Sequence, residues 1–195
     1  EYESMRTPVQ VRLTWKHGPG KLPVMVRLDM NSPFKAPVYF VPETSSTMEE
    51  ARRVVLEADK TPHGSLVCTD HQTSGRGRIQ GRLWEDRAGE SLLCTCILRK
   101  DQLQPLPQAP SLMAGIAVLR AVEDCCPQLS DRCAVKWPND LIVDGKKICG
   151  ILCEADRNYI YIGMGVNILQ ESFPADLATK ASSLALLLNN KDVPE

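Results

Sequence analysis

Histidine is scarce in this chain, with only His17, His63 and His71. No C-x-x-C pair occurs either, so a structural zinc site has no support. Long apolar runs are missing, and nothing approaches the ~18–20 residues that a bilayer-spanning helix needs. Neither sign of charge is in excess: 23 basic residues face 24 acidic ones, for a net charge of -1. No global field therefore draws the chain to nucleic acid or to a membrane, and any anion site must be local. Two common phosphate-binding signatures are also lacking. G-x-x-x-x-G-K-[ST] does not occur, and the G-x-G-x-x-G fingerprint fails at Gln80-Gly81. The start of the sequence shows no charged segment followed by an apolar one, so no secretory leader is expected.

What the chain does have is eight cysteines, at 68, 94, 96, 125, 126, 133, 149 and 153, mostly within apolar runs. They read as reduced thiols acting as small hydrophobes, which favours the cytoplasm. A chain of 195 residues, 43% of them hydrophobic, is long enough for one domain with a sizeable core and too short for two.

Its most unusual stretch is residues 73–84, TSGRGRIQGRLW. Glycines and small residues strip the backbone of bulk while Arg76, Arg78 and Arg82 concentrate positive charge. Free NH groups in such a loop form a concavity for phosphate or carboxylate oxygens, and arginine adds a planar fork. On its own the stretch is equally compatible with a solvated basic loop or a nucleic-acid-binding RG segment.

Hydrophobic alternation outlines the rest. Residues 9–15 and 24–30 alternate around His17-Gly18-Pro19-Gly20 and read as a β-hairpin. After a proline-punctuated connector at 31–37 and a short strand at 38–41, Ser46 with Glu49 forms a capping box. Met48, Ala51, Val55 and Ala58 then follow at helical spacing. Strands are expected at 64–69 and 91–98, the latter apolar on nearly both faces. A helix capped by Ser111 is expected to run to about Cys126, burying Leu112, Ile116, Leu119 and Val122, with Gly115 allowing close approach. Residues 133–137, 148–154 and 159–167 read as strands. Asp144-Gly145 is a type I′ hairpin turn, and a helix begins near residue 181. Strands in hairpins with two or three helices describe an α+β fold with a mixed, mainly antiparallel sheet and helices packed on one face.

Further blocks accompany the arginine loop: Ser46-Thr47 upstream, then KWPNDL at 136–141, KKICGIL at 146–152 and IGMGVN at 162–167. In this order and spacing they resemble the catalytic domain of the biotin protein ligases, over roughly residues 41–188. The resemblance implies a class II synthetase-like fold and an ATP-dependent ligase. Such an enzyme forms biotinyl-5′-AMP and transfers biotin to a lysine of a biotin carboxyl carrier protein, with biotin and ATP as substrates and Mg²⁺ accompanying ATP. It divides the chain into a hairpin extension at 1–38 and a catalytic domain at 39–195, apparently without the family's small C-terminal β-barrel. Many members carry a helix-turn-helix ahead of the catalytic domain; residues 1–38 read as strands, so nucleic acid is not an expected partner, and neither is a membrane. A homodimer is compatible with the family.

Residue by residue, the resemblance makes Lys136 the chief catalytic residue, joined by Arg78. Biotin would be held by Ser46, Thr47 and Met48, by Gln72, by Gly75, Arg76 and Gly77, and by Gly163 and Gly165. ATP or the adenylate would meet Arg76, Arg78, Arg82, Trp84, Lys136 and Asn167. No metal ligand is assigned. Pro138-Asn139-Asp140 would fix the turn after Lys136, and a direct Mg²⁺ role for Asn139 or Asp140 is left open. Each assignment has a plain structural counterpart: Ser46 is a good N-cap, Lys136 one of many lysines, and Gly163 and Gly165 could serve strand-on-helix packing. The sequence departs from the family pattern at Met48, where a third polar residue is usual, and through an extra residue in 79–80. Asp86-Arg87 also stands where Ser-Pro is common. A lipoate ligase or octanoyltransferase of related fold, and a non-catalytic phosphate- or nucleic-acid-binding module, are the competing readings.

Overall fold

The computed structural model of the chain describes residues 25–28, 34–79, 81–189 and 193. The first strand and the turn of the expected N-terminal hairpin lie outside the described residues. Of its second strand, Val26–Leu28 is seen as β1.

Eight described strands form one sheet: β1, β2 (Val38–Thr44), β3 (Ser65–Gln72), β4 (Ser91–Arg99), β5 (Cys133–Lys136), β6 (Asp140–Val143), β7 (Lys146–Ala155) and β8 (Tyr159–Asn167). Their order is β1-β2-β3-β4-β8-β7-β6-β5. Only β2 and β3 run parallel, and helix α1 (Thr47–Glu57) is the crossover that such a pair requires. The remaining pairs are antiparallel, so the sheet is mixed and mainly antiparallel, as the sequence indicated. Asp144 and Gly145 both have positive φ, at 50° and 80°, which is what a two-residue I′ turn between β6 and β7 demands.

The helices divide between the two faces of the sheet, where the sequence reading put them on one. Successive strand residues point to opposite faces. In β8, Tyr161 joins a cluster with Met48, Ala51 and Val54 of α1, whereas its neighbours Ile160 and Ile162 join a second cluster with Ala114 and Val122. The same division separates Ile97 from Cys96 in β4 and Leu152 from Ile151 in β7. Helix α1 therefore covers one face, and α2 (Pro110–Cys125) covers the other with the single-turn α3 (Leu184–Leu187). Leu141, Ile148 and Ile151 are almost wholly buried under α2, each contributing about 1.5–3 kcal/mol of hydrophobic stabilisation.

Helix α2 differs from expectation in two details. Pro110, not a capped Ser111, opens it, since the ring's fixed φ and missing N–H suit the first helical position. The Ser111 hydroxyl instead donates to the Pro138 carbonyl at 3.3 Å. Its buried line also runs through Ala114, Gly115 and Val122, leaving Ile116 44% exposed. Gly115 does allow close approach: a Cβ there would stand 3.0 Å from Cγ1 of Val135.

Candidate active site

On the α1 face, a cavity of about 310 Å³ opens between the start of α1, the arginine loop, and the turn joining β5 to β6. One end is polar and sequence-local in origin. Ser46 is the N-cap of α1, its hydroxyl accepting from the Met48 NH at 3.2 Å. The expected capping box is replaced by this simple cap, because Glu49 accepts from the Ser45 hydroxyl (2.6 Å). The next helix donor, the Thr47 NH, is satisfied across the cavity by the Gln72 side-chain oxygen at 2.8 Å. That oxygen also accepts from the Thr47 hydroxyl at 3.1 Å, and the Thr47 hydroxyl accepts from Thr95 at 2.9 Å. With its oxygen engaged and its orientation fixed, Gln72 has its NH₂ left to offer a ligand. Thr95, fully buried, is a site hydroxyl that the sequence reading did not select; a hydroxyl among the apolar residues of 92–98 was the available signal.

The arginine loop folds back on itself. Arg76 bridges antiparallel to Leu83, the Gly77 NH donates to the Arg82 carbonyl at 2.8 Å, and the Trp84 NH to the Gly75 carbonyl at 2.9 Å. Gly81, at φ +83°, takes a backbone conformation that suits glycine. Beyond the hairpin Asp86 ties the loop down, accepting from the Gln72 NH at 3.3 Å and pairing with His71 Nδ1 at 2.9 Å. Asp86 thus anchors the strand end that carries Gln72.

Glycines make the cavity floor. Gly150 of β7 and Gly165 of β8 are cross-strand partners. A Cβ at Gly165 would lie 2.7 Å from the Trp84 indole, and one at Gly150 2.8 Å from it. Trp84 therefore lies flat where two adjacent strands have no side chains, and its buried Nε1 has no hydrogen-bond partner within the protein. Gly163, opposite Thr95, is met by Met48, whose Cε stands 3.1 Å from the missing Cβ. Met48, 3% exposed, lines the cavity as an apolar wall.

At the other end the lining is cationic. Arg76, Arg78, Arg82, Lys136 and Lys147 face a single lining carboxylate, Asp140. Lys136 closes β5 opposite Asp140 in register. The turn between them is held to β7 by two hydrogen bonds, Asn139 Nδ2 to the Ile151 carbonyl and the Ile151 NH to the Asn139 carbonyl, both 2.9 Å. Such an end is shaped for a group whose negative charge is large or grows. Among the described residues no cluster of three or more His, Cys, Asp or Glu is disposed to hold a metal.

Of the sequence-derived candidates, most come together in this lining, but Gly75 and Asn167 do not. Gly75 packs against the Trp84 backbone, and a Cβ there would be 3.0 Å from the Trp84 carbonyl oxygen. Asn167 is buried, its Nδ2 donating to the Ser182 carbonyl at 3.0 Å. Lys147, Thr95 and the exposed rim residue Trp137 are lining residues that the sequence reading did not select.

Fold and site together define an α+β protein with a cavity that is polar at one end and cationic at the other. A family model described as the biotin/lipoate A/B protein ligase family matches residues 40–167, more than half of the chain. The chain belongs to this family. Among curated proteins it is 40% identical over 149 residues to the bifunctional ligase/repressor BirA of Bacillus spizizenii, covering 72% of this chain and 44% of that one. It is 33% identical over 125 residues to the biotin--[acetyl-CoA-carboxylase] ligase of Mycobacterium tuberculosis, covering 62% and 45%. The chain thus spans less than half the length of these relatives. Among solved structures, the biotin protein ligase of Leishmania major in complex with biotinyl-5-AMP aligns with a TM-score of 0.70 at 29% identity, covering 81% of this chain and 67% of that one. The enzyme from Aquifex aeolicus in complex with biotin and ATP aligns with a TM-score of 0.65 at 28% identity, covering 80% and 62%.

Proposed function

We propose that this chain is the catalytic part of an ATP-dependent biotin protein ligase. The observation that carries the reading is the two-ended cavity: Thr47, Thr95 and Gln72 at one end, five cations at the other, and a glycine floor between them. A cyclic urea and an apolar bicycle suit the first end and the floor, and a carboxylate meeting a triphosphate suits the second.

In the first step a biotin carboxylate oxygen attacks the α-phosphorus of ATP. The bond from that phosphorus to the bridging oxygen breaks, and pyrophosphate leaves. In the second, the ε-amine of a lysine on a biotin carboxyl carrier domain attacks the acyl carbon; an amide forms, the amine loses a proton, and AMP leaves. Neither step needs a protein nucleophile. Lys136 and Arg78 act on the charge gathering at the α-phosphate, while Arg76 and Arg82 hold the substrate oxygens. Trp84 supplies an aromatic face for the adenine. Magnesium enters with the phosphates of ATP, since Asp140, the cavity's carboxylate, is already paired with Lys147. The free cysteines are in keeping with a cytoplasmic setting.

Calorimetric titration with biotin and with lipoate, followed by pyrophosphate release from biotin and MgATP, tests the reading. Biotin should bind in preference to lipoate, and Lys136→Ala should lower pyrophosphate release by about 100-fold or more. Binding of lipoate but not biotin by the wild-type chain would overturn it.

A further inference from the structure

Cys68 of β3 and Cys94 of β4 stand directly opposite one another, in a register that runs unbroken from Ser65 opposite Ile97 to Thr69 opposite Leu93. The backbone of β4 decides what kind of pair they make. At one end the Ile168 NH donates to the Glu90 carbonyl at 3.2 Å, and at the other the Lys100 NH donates to the Asn158 carbonyl at 2.9 Å, so the even-numbered residues turn their backbone groups toward β8. The odd-numbered ones turn toward β3: the Ile97 carbonyl accepts from the Gly64 NH at 2.9 Å, and the Arg99 NH donates to His63 Nδ1 at 3.1 Å. Cys94 is even-numbered, and the β4–β8 register has no slip between Ser91 and Arg99, so its backbone bonds β8. It therefore meets Cys68 as a non-hydrogen-bonded pair, the closer kind, with α-carbons about 4.5 Å apart. A disulfide accommodates α-carbons about 4.4–6.8 Å apart, so the two sulfurs can join with the strands in place, at the short limit of the range, where the bond is readily reduced again.

The surroundings give the two thiols different roles. Val67 and Ile97 belong to the core beneath α1, so their neighbours Cys68, Cys94 and Cys96 point to the other face of the sheet. Helix α2 packs mainly on β5 to β8. On β3, beyond it, Cys68 keeps some exposure, while Cys94 is 6% exposed. Hydrogen bonding between the thiols holds Cys68 below its usual value and pushes Cys94 up, with burial adding to the rise. Cys68 is thus the sulfur that a small reagent reaches first, and Cys94 the one behind it. Among the described residues no other strand cysteine faces a cysteine: Cys96 is opposite Leu66 and Ile162, Cys149 opposite Leu141 and Val166, Cys153 opposite Ile162, and Cys133 opposite Val143.

From this geometry we infer that Cys68 and Cys94 form a reversible dithiol–disulfide site, oxidised by small hydroperoxides. The Cys68 thiolate attacks one oxygen of hydrogen peroxide, the O–O bond breaks, and the other oxygen leaves as hydroxide and takes up the thiol proton as water. The Cys94 sulfur then attacks the sulfenic sulfur of Cys68; the S–O bond breaks, and its oxygen leaves with the Cys94 proton as a second water. Two thiols and one peroxide thus give one disulfide and two waters, and a dithiol reductant reverses the change. The bridge ties the strand that carries Gln72 to the one that carries Thr95, on the face of the sheet opposite the cavity. It does not depend on the ligase reading.

The test is oxidation of the folded full chain with equimolar hydrogen peroxide, followed by denaturation, capture of the remaining thiols with iodoacetamide and peptide mapping by mass spectrometry without reductant. Wild type, Cys68→Ser, Cys94→Ser and Cys96→Ser are compared. Wild type and Cys96→Ser should yield a Cys68–Cys94 linked peptide with two fewer thiols captured, and dithiothreitol should restore both. Cys94→Ser should instead leave on Cys68 a sulfenic acid that dimedone traps, and Cys68→Ser should form no bridge. A linked peptide that is missing from the folded wild type, that appears only when peroxide is added in denaturant, or that joins other cysteines would overturn the inference.

Discussion

Gly165 illustrates how little a single residue reveals without its neighbours. In the sequence it is one of two glycines in IGMGVN, suited either to a ligand on the backbone or to ordinary packing. In the fold the Trp84 indole lies on it and on its partner Gly150, so the absent side chains seat an aromatic ring. Gly165→Val should push Trp84 off the floor. The expected result is a changed tryptophan emission, absent in a Trp84→Phe background, and loss of nucleotide affinity with smaller loss of biotin affinity. Unchanged emission would show that the ring does not depend on the glycine pair. Gln72 was legible in kind, as an amide at a polar end, but its oxygen is committed to Thr47, a pairing 25 residues apart that no local pattern displays.

Among the elements, α1 was the most legible, because an N-cap is a short-range matter of one side chain and the donors just beyond it. Ser46→Ala should cost about 1 kcal/mol of stability in chemical denaturation, and by loosening Thr47 and Met48 it should also weaken biotin. An unchanged denaturation midpoint would mean that Ser45 or water replaces the cap without loss. Helix α2 was legible in extent and less so in orientation. Its apolar residues run almost all the way round, so several faces fit equally well, and the close contact of Gly115 with Val135 selects the one observed. The slip in register between β6 and β7 at Leu141 and Ile142 was not legible, since alternation through KKICGIL has no mark where it occurs.

For the molecule as a whole, Cys94, Cys126 and Cys149 are buried in the core with Cys96, Cys133 and Cys153 packed against it, and this gives a pH dependence. Burial pushes the Cys96 and Cys153 thiols up to about 11, and Cys149 up to about 12, the latter against the opposing pull of Lys147. In the unfolded chain such thiols ionise near about 8.5. Folded values above unfolded ones mean that the stabilising contribution is whole below about pH 8.5 and is lost as pH rises toward about 12. Under reducing conditions the melting temperature should fall progressively above about pH 9, and less steeply in Cys149→Ala; a melting temperature indifferent to alkali would show that these thiols do not titrate between the two states.

Local chemistry was enough for the fold class, the Asp-Gly turn, the cap of α1, the arginine loop and the family blocks, because each depends on residues within a few positions of one another or on a composition that permits little else. Long-range contacts were needed to divide the helices between two faces, to cover the glycine floor with Trp84, and to withdraw Asn167 from the cavity to hold residues 180–182. They also brought Lys147 into the cavity. These outcomes follow from how eight strands register and how side chains compete for one volume, and that competition has no trace in any short stretch of the chain.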